Sequence, residues 1–170
     1  ASACAALRLA AETPGPVYVR MGRASVPAVY APDVELELGK AYVIDEGTDV
    51  SIIACGLEVT EARKAAEKLA EEGISAEVMD AFSEKPLDAE TILASLAKTG
   101  CAVVAEEHSV YGGLCSAVSE LCAESQPTPL EFVAVRDRFG KSGEFEELMA
   151  YFGLDAASIV QAAKKVLMRK

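Results

Sequence analysis

From Lys40 onward the chain alternates between two apolar patterns. Val50–Cys55 (VSIIAC) and Cys101–Ala105 (CAVVA) are unbroken runs that read as strands buried on both faces. Between them lie two segments with the period of a helix. Glu58–Glu72 carries Val59, Ala62, Ala66 and Leu69 on one stripe, and Asp88–Lys98 turns Leu93, Leu96 and Ala97 inward. Gly73 and Gly100 stand where a left-handed residue closes a helix, and Asp88 is placed to cap the second. Ala41–Asp45, Ser75–Ala81 and Leu130–Val135 read as further strands. Gly113–Ala123, Glu144–Phe152 and Ala156–Met168 read as further helices, with Ser142 and Asp155 as caps for the last two.

The resulting order, β, β, α, β, α, β, α, β, α, α, predicts an α/β fold of three layers, α/β/α, around a five-stranded, mostly parallel mixed sheet. Glu46–Asp49 is too short for a parallel crossover, so the first strand is expected as an antiparallel edge. Upstream the pattern differs. Residues 2–12 are helix-favouring, Thr13-Pro14-Gly15-Pro16 stops them, and Val17–Met21 alternates like a short strand. Gly22–Lys40 has no sustained period and reads as a linker. We therefore expect residues 1–24 to end one domain, 25–39 to connect, and 40–170 to form a second. The Ala-rich opening, without Met, reads as a helix entered from a preceding domain.

Composition narrows the function. With 51% hydrophobic and 25% charged residues over 170 positions, a packed core is expected. A net charge of -11 argues against a nucleic-acid partner and against an anionic membrane surface. No apolar run approaches the ~20 residues of a spanning helix. Five scattered cysteines without a C-x-x-C pair fit a reducing, cytoplasmic setting, and zinc is not expected.

In an open α/β sheet, ligands bind beyond the carboxyl ends of the strands. The richest such segment is Glu106-Glu107-His108-Ser109-Val110-Tyr111-Gly112-Gly113. His108, the only histidine, has the chemistry of a general acid or base, yet no nucleophile or ligand set accompanies it. Gly112 and Gly113 open a helix whose amides could cradle an anion, although Glu106 and Glu107 would repel one. Glu107, His108, Gly112 and Gly113 thus define a candidate crevice, the site a stand-alone, small-anion-binding regulatory module would use. Cys115, Ser119 and Cys122 share a helical face that reads as core. Arg20 and Arg23 offer guanidinium forks suited to phosphate. No catalytic residue, cofactor contact or metal ligand is assigned within the chain.

Taken in order, GPVYVRMGR, LGKAYVIDEGTDVSIIACG, EGISAEVMDAFSEKPLD, EEHSVYGGLCSAVSEL and DRFGKSGEFEELMAYFGL resemble the C-terminal portion of transketolase. The likeness covers almost the whole chain and is strongest to the C-terminal sections of split bacterial transketolases. The 2-oxoacid dehydrogenase beta subunit carries a similar domain but lacks a histidine matching His108 and has a proline-rich turn in place of DRFGKSG, whereas 1-deoxyxylulose-5-phosphate synthase keeps an EE-x-x-x-x-GG segment and has a histidine-containing turn in place of FGKSG. The resemblance implies that residues 1–24 end a pyrimidine-binding domain. It also implies a parent enzyme that uses thiamine diphosphate and Mg2+, both held upstream, and that acts as a homodimer with those thiamine-binding domains or an N-terminal subunit. Arg23, counted between Pro16 and Pro27, matches the arginine that binds the substrate phosphate, with Arg20 as the alternative. Cys115 departs from the glycine that usually follows Gly-Gly-Leu in the family.

Overall fold

In the computed structural model, which describes residues 1–170, five strands form one sheet. They are β1 (Tyr42–Asp45), β2 (Val50–Ala54), β3 (Ala76–Asp80), β4 (Ala102–Ser109) and β5 (Leu130–Val135), lying side by side in the order β1-β3-β2-β4-β5. All neighbours are parallel except β1, which pairs antiparallel with β3 at one edge, as the short Glu46–Asp49 connection requires.

Every residue of β2 and β3 is buried, so both faces of the sheet must be covered. Side chains alternate across a strand, and the two helical layers read that alternation. Val50, Ile52 and Ala54, with Val103 and Ala105, face α2 (Glu58–Glu71) and α6 (Ala156–Leu167). Ile53, with Ala102 and Val104, faces α3 (Ala89–Thr99) and α4 (Leu114–Glu124). Met149 of α5 (Phe145–Phe152) joins the first core. Full burial of Ile52 and of Ile53 contributes roughly 1.5–3 kcal/mol apiece.

The predicted stripe of α3 is rotated. Ile92, Ser95, Leu96 and Thr99 are buried, whereas Leu93 is only half-buried and Ala97 is exposed. Hydroxyl chemistry decides the face. Ser51 Oγ on β2 lies 2.6 Å from both Ser95 Oγ and Thr99 Oγ1, and Ser95 in turn donates to the buried carboxyl of Glu77. Lys98 closes this seam by pairing with Glu77 and Glu46.

Three other expectations are corrected. Val17–Met21 is not a strand: no backbone–backbone hydrogen bond involves it, because no strand lies beside it. Ser142 does not cap α5, which begins after Glu144 without a side-chain cap, whereas Asp155 does cap α6 by accepting from Ser158 N at 2.9 Å. The fourth strand runs on past Ala105 to Ser109, with a register irregularity over its last residues. α1 (Ser2–Glu12) ends at the Thr13-Pro14 stop.

At the far edge, the β5 carbonyls of Leu130 and Phe132 accept from the guanidinium groups of Arg169 and Arg136, at 2.8 and 2.7 Å. At the near edge, Asp88 does two jobs. It caps α3 through Thr91 N and holds Ala41 N, at 3.2 and 3.0 Å, tying the entry to β1 to the helix beyond β3. Burial alone would raise its pKa. The bonds from Ala41 and Thr91, with Lys40 nearby, outweigh burial and leave it below the ordinary carboxylate value. The stability it contributes is therefore present above the ordinary carboxylate range and lost as pH falls through the depressed value. Asp88→Ala should cost about 2 kcal/mol near neutral pH by urea denaturation, and less in acid.

Candidate functional site

The connections of β2 and β4 leave the sheet on opposite sides: α2 follows β2 on one face and α4 follows β4 on the other. Since β2 and β4 are neighbours, their carboxyl ends flank the switch point where such sheets bind ligands. Gly56-Leu57-Glu58 stands on one side and Glu106-Glu107-His108 on the other.

Two of the α4 amides that an anion would meet, those of Leu114 and Cys115, are already engaged. Glu106, 1% exposed, turns its carboxyl into the start of α4, where Leu114 N and Cys115 N each donate to it at 2.8 Å. An internal carboxyl thus satisfies helix-end donors and meets the positive end of the helix dipole. Gly113 leaves the room this approach uses: a Cβ there would lie 2.1 Å from Glu106 Oε2, so the carboxyl would have to move. Cys115 is tolerated in place of glycine because its backbone N–H does the bonding, while its side chain is buried in the core and donates to Val104 O. Burial, followed by the adjacent Glu106, pushes the Cys115 thiol far above its ordinary range. Cys122 is likewise core, in agreement with the reading of that face.

His108 lies within β4 and is part-exposed. Its Nδ1 is 2.8 Å from Ser109 O, which can only accept, so Nδ1 carries the proton. Glu106 Oε2 is 3.8 Å away and committed to α4. Gly112 supports the turn at φ 80°, and its N–H donates to Ser116 Oγ. Gly113 and His108 are neighbours, but Glu106 already occupies the Leu114 and Cys115 amides, and this group supplies no nucleophile.

Residues 20–30 cross the carboxyl end of the sheet. Arg20 Nη2 donates to the carbonyl of Glu107 at 2.6 Å. A Cβ on Gly22 would meet Glu107 Oε2 at 3.7 Å and Leu57 Cδ2 at 3.9 Å, so the arm rests on both banks of the switch point. Pro27–Val29 borders a cleft against Thr60, Arg63, Lys64 and Glu67 of α2. Tyr30 then donates to Asp80 Oδ2 at 2.7 Å at the end of β3. Burial holds the Asp80 acid up to about 6 despite that bond. Arg23 lies between these two anchors, exposed and without a hydrogen bond or ion pair. Arg20 and Arg23, alike in sequence, are thus distinct in place: one is spent on the domain and the other is free.

Glu58, which the sequence presents as an ordinary first-turn acid, is fully buried, and neither of its oxygens has a partner. Burial first, then Glu61, Glu107 and Asp155, push its pKa up to about 9. No local pattern distinguishes it from any other acid at a helix start; only its place after a fully buried strand hints at enclosure.

No group of His, Cys, Asp or Glu in the chain is arranged to hold a metal ion. A diphosphate at this helix end would meet the Glu106 carboxyl on the Leu114 and Cys115 amides.

Comparison with known proteins gives a consistent result. A family model described as Transketolase, C-terminal domain, matches residues 39–159. A 6-deoxy-6-sulfo-D-fructose transketolase subunit from Clostridium sp. (strain MSTE9) is 47% identical over 156 residues, covering 92% of this chain and 48% of its own. One of the subunits of an apulose-4-phosphate transketolase from Phocaeicola vulgatus is 42% identical over 158 residues, 92% of this chain and 50% of its own. The chain spans about half the length of the curated relatives it matches. A solved structure described as a split gene transketolase, inactive beta4 tetramer, superposes with a TM-score of 0.93 at 46% identity, covering 96% of this chain and 54% of that one.

Two outcomes test this geometry. Gly113→Ala should expel the Glu106 carboxyl from the α4 terminus and cost about 2–3 kcal/mol in urea denaturation, whereas Gly112→Ala should cost less. For Glu58, the unfolded chain releases its proton near 4.5 and the folded chain near 9, so its contribution to stability declines as pH rises between those values. Glu58→Gln, which cannot ionise, should gain on the parent by roughly 4 kcal/mol between pH 5 and pH 8, one pKa unit being worth ~1.4 kcal/mol.

Proposed function

The chain belongs to the transketolase family through its C-terminal domain, and on that premise we propose that it is the C-terminal section of a thiamine-diphosphate-dependent transketolase. The parent enzyme moves a two-carbon ketol unit from a ketose phosphate to an aldose phosphate. Its cofactor and Mg2+ are held by upstream thiamine-binding domains or by a separate N-terminal subunit, and it works as a homodimer. When bound there, thiamine diphosphate supplies the carbanion chemistry. This chain supplies the domain that packs behind, and one ligand for substrate.

The observation that carries this reading is the contrast between the switch point and the arm. The crevice that would serve a self-sufficient binding module is crossed by Arg20–Gly22, and two amides of its helix end are taken by Glu106. The free guanidinium of Arg23, by contrast, has no partner in this domain and is available to a phosphate presented from outside it. In a chain of net charge -11, such a local cation is what an anionic sugar phosphate requires.

Arg23→Ala in the assembled enzyme should raise KM for phosphorylated substrates about tenfold or more, the worth of one charge-assisted bond, with a smaller change in kcat. Steady-state kinetics with phosphorylated and unphosphorylated acceptors measures this. An unchanged KM for the phosphorylated acceptor removes Arg23 from the site.

A further inference from the structure

We propose that Arg20 is a positioning residue, clamping the arm to β4 so that Arg23 is presented to substrate at a fixed place; this rests on the phosphate-binding reading of Arg23. The acceptor for the clamp arises from a defect in the sheet. Between Ala105 and Ser109 the register of β4 against β5 is irregular, and it is the carbonyl of Glu107, within that stretch, that receives Arg20 Nη2 at 2.6 Å. A ladder irregularity leaves backbone groups unpaired, and a guanidinium 87 residues away in sequence fills the vacancy.

The rest of the arm has the form such a device needs. Thr13 to Ala41 contains no helix or strand, so no ladder of its own fixes its path. It is held at separate points: Arg20 on Glu107, Gly22 against Glu107 and Leu57, and Tyr30 on Asp80. Arg23 sits inside this bracket, three residues from the first anchor and seven from the second. Released at Arg20, the segment up to Tyr30 would lose its hydrogen bond to β4 and keep only the van der Waals contacts near Gly22 and at Val29. A side chain that must meet a phosphate within hydrogen-bond distance loses effectiveness when its backbone wanders by an ångström. Tyr30 alone cannot compensate, because it anchors the far end and lies over a different strand.

The experiment uses the assembled enzyme with Arg20→Met, Arg20→Lys and Arg23→Ala, reading kinetics and deuterium uptake at residues 17–27. Arg20→Met is expected to raise uptake across the arm and to raise KM for the phosphorylated acceptor about fivefold to tenfold with kcat within about twofold. KM for a short unphosphorylated aldehyde should stay unchanged. Arg20→Lys, which keeps a charged donor, should recover at least half of both effects. If KM rises while uptake does not, Arg20 is itself the phosphate ligand and the clamp is wrong. If uptake rises while KM holds, and Arg23→Ala is impaired, the placement of Arg23 does not depend on Arg20; the clamp loses its functional role and the reading of Arg23 stands. If Arg23→Ala is silent, the phosphate reading fails and the positioning role fails with it.

Discussion

The central strand β2, Val50–Ala54, has no exposed residue, and most of the architecture follows from that constraint. A strand apolar on both faces must be covered on both, so the connections on its two sides must use opposite layers. That division places α2 and α6 on one face and α3 and α4 on the other. It also creates the switch point, where loops diverge and leave a crevice. What is distinctive is that this crevice is closed from within. One wall supplies a carboxyl to the helix end that a ligand would use, and the chain's own arm crosses the rest.

Three buried acids result, each in different surroundings. Glu106 is enclosed and accepts hydrogen bonds from two backbone amides. Glu58 is enclosed without any, amid other carboxyls, and holds its proton instead. Glu77 is a third case, met by a serine hydroxyl and a lysine at the opposite end of the sheet. The burial of each is similar; the partners differ.

Sequence patterns revealed the sheet because its strands are apolar without interruption and because Glu46–Asp49 is too short to cross over. They misjudged α3 because Ser95 and Thr99 look like surface residues until Ser51 is placed opposite them. Val17–Met21 has the composition of a strand, but composition does not supply a neighbour to pair with. The segment around His108 lies at the carboxyl end of the sheet, where its place after an apolar strand puts it. The role of Glu106 was hidden: an acid beside a glycine-opened helix reads as a repellent for anions, and only the fold shows that it occupies the anion's place. The separation of Arg20 from Arg23 depends on a contact with residue 107, beyond the reach of local pattern.

The two arginines on β5 have a consequence for how the chain behaves among its own copies. An open parallel edge displays a row of acceptors to which an extended segment of another molecule can zip, the first step toward domain swapping or fibrous aggregation. On β5 the carbonyls of Leu130 and Phe132, two residues apart and so on the same side of the strand, are each occupied by a guanidinium. Any incoming strand must evict both, from residues that otherwise lie beyond the sheet. Arg136 and Arg169 are therefore gatekeepers against templated misassembly, protecting a strand whose buried residues could not be made polar without destroying the core.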